Sequence, residues 1–319
     1  MDRAALISRR LKLRHLNVLI EVAEQGSMAK AAERLATSQP FVSKAVADLE
    51  RLFGRRLLER GPRGVAPTVF GRALLARGTA MLDDLRTSIA ELEFLADPAA
   101  GRLRIGSTEA MATTLLPIIV DRMARRYPRM TFEIVLADAK TLEERDLRGR
   151  RIDVIFGVRL DPILHADDLD VTVIYRDHLL VVAGRKSPWA RRRRIALADL
   201  TDARWCLPSP PHPVGSLVAD AFRRSGLRPP QNVVTVASAP LTSSLLAGGQ
   251  FIGVLGSVVY RADVFARTSL KTLPVKLPAD PWPISAATLK TRTPNPVIKL
   301  FLGVAREVAK PLATLKTHD

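Results

Sequence analysis

The sequence predicts a multidomain chain: an all-α winged helix-turn-helix domain over 1–68, a long linker helix over 69–97, and an α/β domain over 98–319. Three observations predict it. Two short helices with clear start signals lie between Ser27 and Arg51, a narrow leucine seam follows Thr68, and apolar runs alternate with amphipathic segments after Gly101.

The first helix of the pair is marked by Gly26-Ser27, where the serine hydroxyl suits an N-cap before Met28, and the second by Ser38-Gln39-Pro40, where proline fits a helix start that needs no N–H. In the second helix Val42, Ala45, Val46 and Leu49 form one apolar stripe, and half a turn away stand Pro40, Lys44, Ala47 and Arg51. One face can pack while the other meets an anion. Ala31 and Ala32 are small enough for a close helix crossing, with Met28 and Leu35 completing the inner face. This is the pattern of a helix-turn-helix whose second helix enters the DNA major groove. Period alone also fits an ordinary helical hairpin in a core.

Leu13, Leu16, Leu19, Ile20 and Ala23 recur at helical steps and stop at Gly26, which supplies a third, supporting helix. Beyond the pair, Phe53 to Val65 combines a short apolar run, a Gly/Pro turn and a returning segment, the signature of a β-hairpin wing. Its arginines Arg55, Arg56, Arg60 and Arg63 are spaced to follow phosphates; a solvated basic loop is the other reading. Thr68 caps a helix reaching about Ala96, in which Leu75, Gly78, Leu82, Leu85, Ile89, Leu92 and Ala96 alternate steps of three and four. Such a seam joins two chains as a coiled coil, with packing on its own domain as the alternative. A symmetric dimer would place two reading helices about one DNA turn, or a multiple, apart and so predicts an inverted-repeat target.

Composition agrees with an anionic partner. The 319 residues include 49 Lys plus Arg against 32 Asp plus Glu, a net charge of +17. Residues 1–68 hold 13 basic and 7 acidic side chains, so the basic excess per residue is densest around the helix pair. Cys206 is the sole cysteine, which excludes an intrachain disulfide and a multi-cysteine metal site; it is expected to be a packed small hydrophobe. The N-terminus lacks a signal-peptide core and no apolar run reaches membrane-spanning length, so a cytoplasmic protein without membrane contact is expected.

After the Asp97-Pro98-Ala99-Ala100-Gly101 hinge, Leu103–Gly106, Phe132–Leu136 and Val154–Val158 are strand candidates separated by the helical runs Leu115–Met123 and Leu142–Leu147. Strands alternating with helices predict a largely parallel sheet. A second lobe of the same class runs from about Asp177 to Leu273, with strands Leu179–Ala183, Trp205–Leu207, Val233–Val236 and Phe251–Leu255 and helices Leu217–Ser225 and Leu241–Ala247. Ligands in such sheets collect beyond strand carboxyl ends, where Ser107, Thr108 and Glu109 stand. Hydroxyls there suit a carboxylate, and capping alone suits them nearly as well.

No enzymatic constellation stands out. His15, His165, His178, His212 and His318 are scattered without metal-ligand spacing, and no nucleophile elbow or P-loop lysine occurs. Gly248 to Gly253 precedes a strand and is expected to end a helix, and Arg191–Arg194 reads as a solvated turn. No catalytic residue, metal or cofactor is expected.

Taken together, Gly26-Ser27, Ala31-Ala32, Leu35, Ser38-Gln39-Pro40, Val42-Ser43, Leu49-Glu50, Gly54, Arg60 and Thr68 with Gly71 resemble, in register, the N-terminal region of the LysR-type transcriptional regulators. The chain departs from that pattern at Phe41, where a small residue is usual, at Leu57-Leu58 in place of Leu-Phe, and at Pro67 in place of Leu.

The resemblance implies a two-lobed, periplasmic-binding-protein-like effector domain, lobe I spanning about 102–176 and 274–319 and lobe II about 177–273. Strand Ile284–Leu289 and helix Val297–Val308 would return to lobe I. It implies double-stranded DNA as partner, contacted by Ser27, Ser38, Gln39, Pro40, Phe41, Ser43, Lys44, Arg51, Arg55, Arg56, Arg60 and Arg63. It implies a homodimer or homotetramer joined through Leu75, Leu82, Leu85, Ile89 and Leu92, with RNA polymerase as a further candidate partner. A small-molecule effector would meet Ser107, Thr108, Lys140, Thr141, Pro208, Ser209 and Thr242, and an anionic organic metabolite is the expectation. Two other classes stay in view: a solute-binding protein of a transporter, and an enzyme carrying a DNA-binding module.

Overall fold

A computed structural model describes residues 7, 9–61, 64–158, 167–210, 212–262, 264–292 and 295–314. They form two compact units, one up to Leu92 and one from Glu93 onward.

In the first unit, α1 (Leu13–Gln25), α2 (Met28–Arg34) and α3 (Gln39–Phe53) precede the strands β1 (Leu58–Gly61) and β2 (Gly64–Pro67). Each junction has a local cause. Gly26 and Gly54 end α1 and α3 at φ of 61° and 64°, a left-handed backbone that glycine adopts without Cβ strain. Ser27 and Ser38 cap α2 and α3, their hydroxyls accepting the N–H groups of Lys30 and Phe41. Leu16, Leu19, Val22, Ala31, Val42, Val46, Leu49 and Leu57 are buried together, and each large apolar side chain there contributes roughly 1.5–3 kcal/mol. The wing pairs antiparallel from Leu58↔Pro67 to Gly61↔Gly64. Arg63 and the side chain of Arg60 lie outside the described residues, as do His165 and His318.

Helix α4 (Val69–Ala96) begins at the wing, where Thr68 Oγ1 accepts the N–H of Gly71 at 3.0 Å and donates to the Arg56 carbonyl at 2.8 Å. Gly71 sits so close to the backbone that a Cβ there would stand 2.0 Å from the Leu57 carbonyl oxygen.

The second unit holds two five-stranded sheets. Strands β3 (Ala100–Ser107), β4 (Arg129–Leu136), β5 (Val154–Val158), β6 (Leu169–Asp177) and β12 (Trp282–Leu289) form one sheet in the order β4-β3-β5-β12-β6. The other has the order β11-β7-β10-β8-β9, from β7 (Leu179–Gly184), β8 (Trp205–Leu207), β9 (Val233–Thr235), β10 (Ile252–Gly256) and β11 (Leu270–Thr272). The chain therefore passes between sheets at Asp177–Leu179 and returns between Thr272 and Trp282. The sheets are mixed instead of largely parallel. β4, β3 and β5 run parallel, but β12 enters on the return crossing and pairs antiparallel with both β5 and β6. In the second sheet β10 pairs antiparallel with β7 and parallel with β8.

Helices α5 (Glu109–Ala112), α6 (Leu115–Arg126) and α7 (Ala139–Thr141, continuing as a π-helical Leu142–Leu147) belong to the first lobe. The second lobe holds α8 (Pro213–Arg224), α9 (Ala239–Ala247), α10 (Ser257–Ala262) and α11 (Val264–Ser269), and α12 (Pro296–Thr314) returns to the first. Phe156 meets Phe301 edge-on in one core, and Trp205 meets Phe222 in the other. Gly248 and Gly249 end α9, as the sequence suggested, with Gly249 at φ of 82°. Cys206 is buried. Among the described residues no helix is long and apolar enough to cross a membrane, and none of the His, Cys, Asp and Glu side chains cluster as metal ligands.

A buried ion cluster ties the turn after β12 to β3 and to the start of β5. Asp153, 3% exposed, accepts from Arg104 at 2.7 Å and from Arg292 at 2.6 Å, and Arg292 is itself 4% exposed. Removing the carboxylate leaves two guanidinium groups without their shared counter-charge, so Asp153→Ala is expected to cost about 3–5 kcal/mol. Chemical denaturation should show the loss in the second unit's transition, and a change below 1 kcal/mol would contradict the assigned role.

Candidate nucleic-acid interface and ligand cavity

Helix α3 divides cleanly into two sides. Val42, Ala45, Val46 and Leu49 are buried, whereas Gln39, Pro40, Lys44, Ala47 and Arg51 are exposed. Arg51 pairs with Asp48 at 2.8 Å on the helix surface, a contact that three-quarters exposure makes weak and easily exchanged. Lys44 has no ion-pair partner among the described residues. Ser38 is exposed but already caps the helix, and Phe41 is half-buried against the core beneath the Arg14 guanidinium, 5.7 Å from its ring centre.

Two expected contacts are redirected. Ser43 turns its hydroxyl inward to the Met28 sulfur at 3.2 Å, because position 43 flanks the buried stripe, and Ser27 is half-buried and engaged as a cap. Arg55 and Arg56 are exposed, Arg55 lying 5.4 Å from the centre of the Phe70 ring. The exposed cations Arg14 on α1 and Lys30 on α2 were not singled out from sequence; Arg14 is linked to α3 only through Phe41, which no spacing rule announces.

The seam of α4 is used twice. Leu75 and Leu82 are half-buried against the first unit's own core, and Gly78 lies against Leu16. Part of the Leu75 and Leu82 side chains is therefore spent on the unit's own core. Leu85, Ile89 and Leu92 are 43%, 48% and 67% exposed, and Met81 and Leu95, which lay outside the predicted seam, are exposed beside them.

In the second unit a cavity of about 810 Å³ opens between the lobes. Of the expected effector residues it is lined by Thr108, Lys140, Pro208 and Thr242, and not by Ser107, Thr141 or Ser209. Ser107 is wholly buried and donates to the Phe156 carbonyl at 3.1 Å; Thr141 spends its hydroxyl on Asp138 at 2.5 Å. The lining also includes Glu109, which follows Thr108 at the same strand end, and Asp138, Asp177, His212 and Trp282, which sequence spacing gave no reason to bring together, because they come from both lobes and both crossings. Glu109 on α5 accepts the Ser238 hydroxyl at 3.1 Å, a hydrogen bond across the cleft.

The charges on this lining are unevenly placed. Burial pushes the Asp177 carboxyl up from its ordinary value, opposed by the Ser257 hydroxyl and the N–H groups of His178 and Val258. Trp282 pairs with Asp177 across the strands; its indole Nε1 is buried without a well-formed hydrogen bond, yet it too draws that carboxyl downward. The Thr141 hydroxyl and backbone N–H hold Asp138 below its usual range. Among the described residues Lys140 is the only lysine or arginine on the lining; its ammonium lies 3.9 Å from Glu144, and its side chain is 72% exposed.

Residues 96–310 match the LysR substrate binding domain, and residues 13–72 match the bacterial regulatory helix-turn-helix protein, lysR family. The HTH-type transcriptional regulator GbpR of Azospirillum brasilense is 30% identical over 303 residues, covering 93% of this chain and 86% of the relative. Two solved structures share the fold. Full-length OxyR from Pseudomonas aeruginosa, in a point-variant form, superposes with a TM-score of 0.71 at 20% identity, covering 97% of this chain and 99% of that one. Full-length CbnR complexed with its target DNA does so with 0.64 at 22% identity, covering 94% and 100%.

Burial holds His212 below its ordinary pKa of 6.5, and its Nδ1 already accepts the Val214 N–H at 3.3 Å at the start of α8. A proton there is bound more readily by the unfolded chain, so this group's stabilisation is complete above pH 6.5 and is lost as pH falls through it. His212→Asn keeps a capping acceptor and removes the titration. Melting temperatures between pH 7 and 5 should therefore fall less steeply in the variant; equal slopes would contradict the assignment.

Proposed function

The chain belongs to the LysR family of bacterial transcriptional regulators, and on that premise we propose how its own residues read DNA and answer an effector. Helix α3 enters the major groove with Gln39, Pro40 and the exposed edge of Ser38 toward the bases. Lys44 and Arg51 meet phosphates, and Arg55 and Arg56, with Arg60 and Arg63 of the wing, extend that track. Arg14 and Lys30 add charge from the flanking helices. Contacts of this kind position the protein and make binding steeply salt-dependent.

Two copies join through the exposed stripe of α4 at Met81, Leu85, Ile89, Leu92 and Leu95. A protein paired in this way favours an inverted-repeat target. The cavity takes a small organic effector. An anion was the expectation from sequence, for which Lys140 is the one permanent cation available on the described lining. Binding changes the lobes' closure and shifts the DNA-bound population only by the effector's difference in affinity between the two states.

The observation that carries the reading is α3 itself, whose inner side is saturated by packing while its outer side carries exposed polar and basic residues. The test is Lys44→Ala with Arg51→Ala, on duplexes selected by the wild-type chain. Two lost phosphate contacts should lower the salt slope by about 2 and weaken binding roughly a hundredfold or more at moderate salt, with the oligomer unchanged in sedimentation. Unchanged operator affinity would refute this face.

A further inference from the structure

The cavity between the lobes carries information about the charge of what it holds. Its walls are largely apolar, with Met111, Leu136, Val236 and Val254 among the lining side chains. Its ionisable groups are mainly carboxylates: Glu109, Asp138 and Asp177. The opposing cation, Lys140, is turned to solvent and to Glu144, and burial holds half-buried His212 below its ordinary pKa. An organic anion placed here would meet the Glu109 and Asp138 carboxylates with little compensation.

Two further features of the lining bear on what it holds. Trp282 is 6% exposed and lines the cavity, its indole Nε1 directed at the Asp177 carboxylate without a well-formed hydrogen bond. Thr108 Oγ1, on the same lining, is also buried and without a partner. Buried polar atoms of this kind are rarely left unsatisfied in folded proteins unless something else meets them. An aromatic ring close to carboxylates is also the pairing that recognises ammonium groups.

From these groups we infer that the effector is a small organic cation, a protonated amine on an apolar body, with a hydrogen-bond acceptor near the charged end. The ammonium is held by Glu109, where it replaces the Ser238 hydroxyl, and the acceptor meets Trp282 or Thr108. The apolar body fills the space between α5 and the ends of β9 and β10. Because Glu109 bonds to Ser238 across the cleft, a cation that takes over this carboxylate breaks a lobe-to-lobe contact and substitutes itself as the bridge. The assignment rests on the cavity being the effector site.

Three matched probes test it by titration calorimetry on the full chain: 2-phenylethylamine, 2-phenylethanol and 3-phenylpropionate. The amine is expected to bind about tenfold or more tightly than the carboxylate, with the alcohol between. Glu109 is exposed, so Glu109→Lys should fold normally and should reverse the order. Preferential binding of the carboxylate by the wild-type chain, or an amine affinity unchanged by Glu109→Lys, would overturn the cationic assignment. Binding of the alcohol without the amine would overturn it too, while leaving the cavity as the effector site. Failure of all three probes would remove both readings.

Discussion

Glu50 joins the parts of the DNA-binding unit that must move together. Its carboxylate, near the end of α3, accepts the N–H of Leu57 at 2.8 Å and of Leu58 at 3.3 Å, just where the wing begins. One side chain thus satisfies two backbone donors and fixes the hairpin to the helix. Gly26 does the same from the other side, its carbonyl accepting the Val65 N–H at 2.8 Å, and a Cβ on Gly64 would stand 2.5 Å from that oxygen. With both anchors in place, the arginines ahead of β1 keep a set position relative to Lys44 and Arg51. Charge–phosphate contacts fix the register of a protein on the duplex, which requires that spacing to be kept.

The N-terminal elements were legible because their signals are local. Ser27, Ser38 and Pro40 mark helix starts, Gly26 and Gly54 mark ends, and the stripe from Val42 to Leu49 reports burial by its period alone. What escaped depends on tertiary contact. Ser43 was expected beside the bases, but its distance from Met28 cannot be read from a linear pattern. The same holds for α4, where one apolar period serves an internal core at Leu75 and Leu82 and is exposed from Leu85 onward. A heptad pattern does not say which partner covers it.

In the second unit the short apolar strands were legible, whereas β6 was not. Its sequence mixes Val171, Val173 and Tyr175 with charged and polar neighbours, because one face of this edge strand is partly open. Missing β6 concealed the antiparallel pairing with β12 and with it the place of Asp177 and Trp282, which face each other at adjoining crossings. The cavity is built on those crossings and on residues as far apart in sequence as Glu109 and Ser238, 129 positions, so its charge balance becomes visible only in three dimensions. Sequence reasoning found four of its walls at Thr108, Lys140, Pro208 and Thr242 and placed Glu109 at the same strand end, but missed Asp138 and Asp177.

The most direct test of the account is lysine footprinting of the full chain with and without a duplex selected from genomic DNA. Lys44 is exposed in the free protein and points from the side of α3 opposite its packed stripe. Saturating duplex should shield Lys44 from acylation while Lys299 on α12, in the other unit, keeps its free-state reactivity. Equal labelling of Lys44 in the presence and absence of bound duplex would show that α3 is not the element in the groove.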